Sequence, residues 1–520
     1  MASPISRFDP ARLTSSPCSS EGIPTVSSVL AESPRRVPVA DRHCGSLHRR
    51  SGHVLPLESA LYSHFIFCAI HSRPEGRGLS HDLRINKIAL ILLCLILLSP
   101  PIFALAPARE QALIAAFDTA FEQVYAHYQL PGLAVGVIAD GHIIYKRTAG
   151  ELRAGSGERI DADTIFKIAS NSKAMTASVL ARLVDQGKLA WTDPVIQHLP
   201  DFSMSDPWVT QHIQVRDLLI HSGGLPSGAG DMMLWPENSR YKARDILAKV
   251  TQLQAAYSFR SRYAYDNLLY VVAGEVAAAA AGKPFDQLLR AELFEPLGLN
   301  RCQAGRWQRD KVGNVAQPHI RQGGRNVLTR KDGPQIPHSP GLAAGDIRCS
   351  LNDMLTWIQR AWLVPDADNP WLSPTQRRAV WTLATPMPIS NRMRQWDNTH
   401  LHGYGYGWRL SDVDGQWKVA HTGTLTGMYS AVVLLPDLRS GFVILINGSA
   451  AQARTALTQA LLKRFTRPDA PHLNAIYYTM LLESNNVIRS IAQQAQLPDL
   501  PIQEGSDEDE SEDVEIFFSP

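Results

Sequence analysis

The run Thr164-Ile165-Phe166-Lys167-Ile168-Ala169-Ser170-Asn171-Ser172-Lys173 sets a serine and a lysine three residues apart, where a short apolar segment gives way to Ala174 through Leu180, whose apolar spacing suits a helix. If Ser170 opens that helix, Lys173 lies one turn on, on the same face. The hydroxyl then sits at the positive end of the helix dipole, where a developing negative charge is favoured. A lysine buried beside it has its pKa lowered toward neutrality and accepts the serine proton. That is acyl transfer without a Ser-His-Asp triad. Alone, the pattern says little: about two Ser-x-x-Lys are expected by chance in such a chain. A second does stand at Ser239-Arg240-Tyr241-Lys242. An N-cap serine followed by a solvated lysine would account for either.

Two further stretches carry residue types that complete such chemistry. Tyr265-Asp266-Asn267 is the only Tyr-x-Asn in the chain and stands just before an apolar run from Leu268 to Ala281. A tyrosine near a buried lysine holds a depressed pKa and shuttles a proton to the leaving group or from the nucleophile. Two residues on, Asn267 offers an amide to a substrate carbonyl. His421-Thr422-Gly423-Thr424 closes a predicted strand from Gln416 to His421. On an edge strand, glycine lets a substrate backbone come close. The His421 imidazole and the Thr422 hydroxyl suit a substrate carboxylate. The N–H of Thr424, with that of Ser170, could form an oxyanion hole. Each alone has an ordinary structural explanation, a core aromatic or a buried histidine. The three in order are more specific: Ser-x-x-Lys with a later Lys-Thr-Gly-type motif is tied to β-lactamases and penicillin-binding proteins.

The elements that must position these residues are legible in outline. Arg109 to Tyr128 repeats Leu113, Phe117, Phe121 and Val124 at helical spacing. Leu133 to Ile138 and His142 to Tyr145 read as strands joined by Asp140-Gly141, a strong hairpin signal. Helices are predicted over Ala177 to Gln186, Val215 to Ile220, Ala243 to Leu253, Leu268 to Ala281, Phe285 to Phe294 and Asn352 to Ala361. Strands return at Tyr406 to Leu410, Gln416 to His421, Ser430 to Leu435 and Gly441 to Ile446, before a helix from Ala450 to Phe465. Strands near both ends and helices between them predict an α/β (α+β) architecture: one sheet built from both termini, with an inserted helical subdomain. Ser170 then falls at the junction, where clefts form.

The 520 residues carry a net charge of only +2, which gives no electrostatic case for nucleic acid as a partner. Residues 1–83, rich in Ser, Pro, Arg and His, are expected to be disordered or a mis-annotated upstream segment. Residues 84–106 combine a basic flank, the apolar run Ile88 to Leu98, prolines and Ala104-Leu105-Ala106, the pattern of a secretory signal peptide cleaved after Ala106. The alternative is a membrane anchor. No cysteine follows a lipobox-like pattern. The expected location is periplasmic or secreted, or membrane-anchored on the alternative. Residues 107–466 then form the catalytic domain, and 467–520 an extension with an acidic, solvated tail at Asp507 to Asp513. Of six cysteines only Cys302 and Cys349 lie beyond Ala106. They could pair in an oxidising compartment or stay as two buried thiols, and there is no metal-binding spacing among them.

Thr164 to Lys173, Trp191 to Pro200, Val215 to Leu225, Tyr265 to Gly274, Gly341 to Trp357 and Tyr404 to Trp408 resemble successive segments of the class C β-lactamase and DD-peptidase family, over roughly residues 108 to 466. The resemblance implies an antiparallel sheet flanked by helices with an all-helical subdomain, the β-lactamase/transpeptidase-like fold, and a cleft between the two. It implies Ser170 as acylated nucleophile, Lys173 as its base partner and Tyr265 as proton relay. It makes Asn267, His421, Thr422, Gly423 and Thr424 substrate-binding, and calls for no metal or cofactor. His221-Ser222-Gly223-Gly224 matches a family segment read here as a structural turn. Two departures stand out. Asp266 replaces a small residue and sets a carboxylate near Lys173, slowing acylation if it points inward. His421 stands where β-lactamases usually carry lysine, and a neutral imidazole holds a carboxylate less firmly. The implied activity is a D-alanyl-D-alanine carboxypeptidase or β-lactamase-like hydrolase of peptides and small molecules. The alternatives are a family VIII-type carboxylesterase and a penicillin-binding sensor without turnover. No Gly-x-Ser-x-Gly elbow of an α/β-hydrolase is present.

Overall fold

The computed structural model describes residues 107–235 and 239–468. The expectations for residues 1–83 and 84–106 and for the acidic tail lie outside the described residues. Helix α1 (Pro107–Tyr128) forms as the spacing predicts, burying Leu113, Phe117, Phe121 and Val124 along one stripe. Strands β1 (Gly132–Ala139) and β2 (His142–Gly150) follow. The turn between them holds Asp140 at φ 47° and Gly141 at φ 84°, so both central residues are left-handed and the turn twists with its strands.

The other strands of the main sheet come from the last third of the chain. They are β3 (Thr385–Pro386), β4 (His402–Tyr404), β5 (Arg409–Val413), β6 (Gln416–Leu425), β7 (Met428–Leu435) and β8 (Ser440–Ile446). Their order is β2-β1-β8-β7-β6-β5-β4-β3, with antiparallel pairing throughout. Leu133 pairs with Ile446, so strands from the two ends of the domain lie side by side in the sheet, as expected for a sheet built from both termini. The pleat divides the core in two. Leu133, Val135 and Val137 face α1 and the last helix, α5 (Ala451–Thr466), whereas Ala134 and Ile138 face the helical body. Buried on both faces, β1, β7 and β8 read as continuous apolar runs rather than as alternations.

The helical insert holds α2 (Ser172–Asp185) and α3 (Leu268–Ala281), the latter ending on Gly282 at φ 65°. Helix α4 (Leu351–Trp357) packs under β1 and β8. Several predicted elements change character. Val215–Leu219 is a 3-10 turn, and Ala243–Val250 stops short of Leu253. The helices begun at Phe285 and Leu351 pass into π-helical turns over Leu289–Phe294 and Ile358–Leu363. The strand expected over Tyr406 to Leu410 begins only at Arg409, because the chain first turns through Gly407 at φ 76°. A Cβ on Gly407 would lie 2.7 Å from the Lys173 carbonyl oxygen, so this turn packs directly on the backbone of α2.

A two-stranded ladder missed by the sequence reading, Ile165–Lys167 with Arg348–Ser350, leads straight into Ser170. Both strands are three residues long and wholly buried, so they show no alternation. Phe166 pairs with Cys349, and Cys349 is disulfide-bonded to Cys302. The bond closes a loop of 47 residues and stabilises the fold by roughly 3–4 kcal/mol if it acts mainly on the unfolded chain.

Candidate active site

Ser170 sits half-buried in a single 3-10 turn, Ala169–Asn171, which leads directly into α2. The turn is entered through Ala169 at φ 48°, an unfavourable conformation for a residue with a Cβ, held by its surroundings. Ile168 donates to the Ile347 carbonyl, Asn171 Nδ2 donates to Ser430 Oγ at 2.8 Å, and that hydroxyl donates to the Ile168 carbonyl at 2.7 Å. Thus β7 and the buried ladder clamp the turn from two sides.

Lys173 is fully buried in the first turn of α2. Its Nζ lies 3.2 Å from Ser170 Oγ, 2.6 Å from Asn267 Oδ1 and 2.9 Å from the Ala344 carbonyl oxygen. An ammonium uses its three N–H groups on these three acceptors. A neutral amine keeps two, for Asn267 and Ala344, and turns its lone pair to the serine hydroxyl. The same cradle therefore fits both states of a group that takes a proton from Ser170. The other Ser-x-x-Lys stays apart from this centre: Ser239 Oγ bonds the Met233 carbonyl and Lys242 starts a separate helix.

Tyr265 is buried, its ring 4.7 Å from Lys173 Nζ and 4.2 Å from the His221 ring. His221, at φ 54°, accepts the Asp266 N–H at Nδ1 over 3.0 Å. Burial holds its pKa well below the usual value, so it stays neutral behind Tyr265. Asn267 donates from Nδ2 to Asp231 Oδ2 at 2.9 Å, so one amide hydrogen and the amide oxygen serve protein groups. Its orientation follows from a cation on one side and a carboxylate on the other.

Asp266 does not turn toward Lys173. Its Oδ1 accepts the N–H groups of Leu268 at 2.7 Å and Leu269 at 3.4 Å, capping α3. Burial, and then the Asp231 carboxylate, push its pKa up to about 7. Burial likewise pushes Asp231 up to about 6. A carboxyl held neutral by the fold but ionised in the unfolded chain favours folding below the unfolded pKa, and loses that contribution as pH rises through the folded value. Asp266→Asn keeps the cap acceptor and removes the titration. Its melting is expected to match the parent at pH 4 and to gain on the order of 1–2 kcal/mol at pH 8, read from thermal unfolding across that range.

The third motif lies inside β6, not at its end. Residues 421–425 pair with β7 only, because β5 pairs no further than Ala420, so this half of an internal strand has a free edge toward Ser170. A Cβ on Gly423 would collide with the Ile168 carbonyl and with Ala169, which shows how tightly the strand lies on the nucleophile turn. The His421 imidazole, expected to face a substrate carboxylate, is turned to partners within the protein. The ring is fully buried, Nδ1 lies 2.6 Å from the Thr422 carbonyl oxygen, and Nε2 lies 2.8 Å from the Tyr404 hydroxyl. A carbonyl only accepts, so Nδ1 carries the proton and Nε2 accepts from Tyr404. The cation at this edge is one the sequence reading missed. Arg409, the first residue of β5, reaches Thr422 Oγ1 with Nη1 at 3.3 Å and lies 5.9 Å from the Tyr265 ring.

Thr424 is positioned from the far side. Arg454 of α5, buried over the Tyr429 ring, donates to the Gly423 carbonyl at 3.0 Å and to Thr424 Oγ1 at 2.7 Å. In a planar trans peptide the N–H opposes the C=O. Anchoring the Gly423 oxygen toward α5 thus turns the Thr424 N–H the other way. Among the described residues no cluster of three or more His, Cys, Asp or Glu could hold a metal ion.

An antiparallel sheet backed by two helices, with a helical insert and a Ser-Lys pair at the junction, is the fold class of β-lactamases and transpeptidases. The chain belongs to the beta-lactamase family, whose model matches residues 117–464. It is 27% identical to an unguisins hydrolase of Aspergillus campestris, over 67% of this chain and 64% of that protein. It is 24% identical to penicillin-binding protein 4 of Amycolatopsis lactamdurans, over 64% of this chain and 84% of the relative. Over 44% of this chain and 57% of the relative, it is 28% identical to the D-alanyl-D-alanine-carboxypeptidase/endopeptidase AmpH of Escherichia coli. The chain thus spans less than two thirds of the length of some of these relatives. Among solved structures, the octameric penicillin-binding protein homologue from Pyrococcus abyssi shares the fold at TM-score 0.57 and 21% identity, covering 68% of this chain and 77% of that one.

Proposed function

We propose that this protein is a secreted serine hydrolase working through an acyl-enzyme on Ser170, with peptides ending in D-alanyl-D-alanine, or β-lactams of similar shape, as substrates. The observation that carries the proposal is the buried Lys173 Nζ 3.2 Å from Ser170 Oγ, held there by Asn267 and Ala344. The serine oxygen attacks the substrate carbonyl and its proton passes to Lys173. The oxyanion is received by the N–H groups of Ser170 and Thr424. Collapse expels the amine, which takes its proton through Tyr265, and water then cleaves the ester and restores the serine. Arg409 and Thr422 receive the substrate carboxylate, the task expected of His421. The names of the relatives, a penicillin-binding protein and a D-alanyl-D-alanine carboxypeptidase, favour this substrate class. The Cys302–Cys349 disulfide favours an oxidising compartment, periplasmic or extracellular.

The test is the intact mass of the full chain with a penicillin, followed over time and repeated on Ser170→Ala. A persistent adduct that the variant lacks is expected of a slow penicillin-binding peptidase, and a transient one with the drug consumed marks a β-lactamase. No adduct, with Ser170-dependent cleavage of a short p-nitrophenyl ester, assigns a carboxylesterase. Inertness to both reagents overturns the proposal.

A further inference from the structure

Beyond the Ser-Lys centre the molecule has a cavity of about 690 Å³ at the open end of the main sheet. One wall is the edge strand β3 with Met387 and Pro388. The other is the turn Arg216 to Ser222 and the loop Arg260 to Tyr263. Its chemistry is one-sided. Three guanidinium groups line it, from Arg216, Arg260 and Arg262, against a single carboxylate, Asp217. That carboxylate is already used: Arg260 grips it at 2.9 Å and 2.6 Å, and the Gln214 N–H donates to it at 2.8 Å. Among the described residues Arg216 is half-buried with no ion pair, and Arg262 lies over the Tyr257 ring rather than against an acid. Among the described residues the buried hydroxyl of Ser222, which also lines the cavity, has no hydrogen-bond partner. Two unneutralised guanidinium groups and a spare hydroxyl, set beside apolar Ile220 and Met387, suit an oxyanion on a short aliphatic stem.

The position relates the cavity to the reaction. Arg409 pairs with Tyr404 and Tyr404 with Thr385, so the cavity wall stands two strand spacings, roughly 10 Å, from the cation assigned to the substrate carboxylate. An extended peptide covers that distance in about three residues. Tyr263 lines the cavity, and its ring lies 5.7 Å from that of Tyr404, whose hydroxyl holds His421.

Resting on the Ser170 reading above, we propose that this cavity binds a carboxylate on the leaving portion of a peptide that continues past the scissile bond. The protein then cleaves within acidic peptides as well as at their ends. Arg216 and Arg262 are the specificity-determining residues.

The experiment compares three substrates of the full chain: an acyl-D-Ala-D-Ala peptide, the same peptide extended by Gly-Gly-D-Glu, and its Gly-Gly-D-Gln counterpart. The acidic extension is expected to lower KM about tenfold relative to the amide. The double variant Arg216→Gln/Arg262→Gln is expected to lose that advantage, while its kcat/KM on the short peptide, which reports an intact fold, stays unchanged. Equal KM for the two extensions, or an advantage that survives in the variant, overturns the proposal. Affinity of the labelled extended peptides for Ser170→Ala, read by fluorescence anisotropy, separates the two levels of the argument. If no peptide is cleaved but the acidic one binds more tightly through Arg216 and Arg262, the Ser170 reading fails and the cavity assignment stands. Free N-acetyl-D-glutamate binding as tightly as the tethered peptide would make this a site for a separate small anion and overturn the substrate assignment.

Discussion

Lys173→Met is expected to lower the rate of acylation by at least about 10³-fold, near the upper end of what a positioned general base contributes. Methionine fills nearly the same volume with no titratable group, so Ser170 keeps its turn and loses its proton acceptor. The substitution also strands Asn267 Oδ1 and the Ala344 carbonyl, which now accept from Nζ at 2.6 Å and 2.9 Å. Each unsatisfied acceptor costs about 1–3 kcal/mol, so the variant should also melt earlier. Single-turnover acylation by a chromogenic penicillin or p-nitrophenyl ester, at a temperature where circular dichroism shows the variant folded, separates the two effects. A loss below tenfold would move the base function to Tyr265, the other proton-bearing group beside Nζ.

The second large effect is expected at Arg409. Arg409→Gln should raise KM for a D-Ala-D-Ala peptide about a hundredfold while changing the turnover of a neutral p-nitrophenyl ester by less than about threefold. Losing a charge-assisted, partly buried contact to a carboxylate is worth about 2–3 kcal/mol, and a substrate without the carboxylate does not feel it. The contrast between substrates is the measurement. Equal losses on both would mean that Arg409 acts by holding Thr422, which it reaches at 3.3 Å, rather than by meeting substrate.

Much of this centre was legible because its parts lie on local patterns. Ser170 stands in the 3-10 turn that leads into α2 and Lys173 in the first turn of α2, and Tyr265 with Asn267 precede a helix whose apolar run marks both ends, Leu268 and Ala281. Arg409 was not legible. It is one arginine at the start of a five-residue strand, in a stretch read as beginning three residues earlier, and nothing local separates it from a solvated charge. Arg454 was hidden in the same way on α5, where its burial against Tyr429 depends on β7. His421 shows the reverse. Its motif was plain, but the hydroxyl that captures Nε2 belongs to Tyr404, two strands away in the sheet.

By itself the sequence determined the Ser-x-x-Lys and Tyr-x-Asn motifs, the helices beside which they stand, and the two-ended sheet, because helical and strand periodicities and tight turns are short-range properties of the chain. Only the tertiary structure decided how those side chains face one another. It set Arg409 against Thr422 while burying His421, paired Cys302 with Cys349, and left two arginines unneutralised beside β3. Each of these depends on contacts between segments far apart in the chain. Burial and partner choice across such distances are set by packing, which no local pattern encodes.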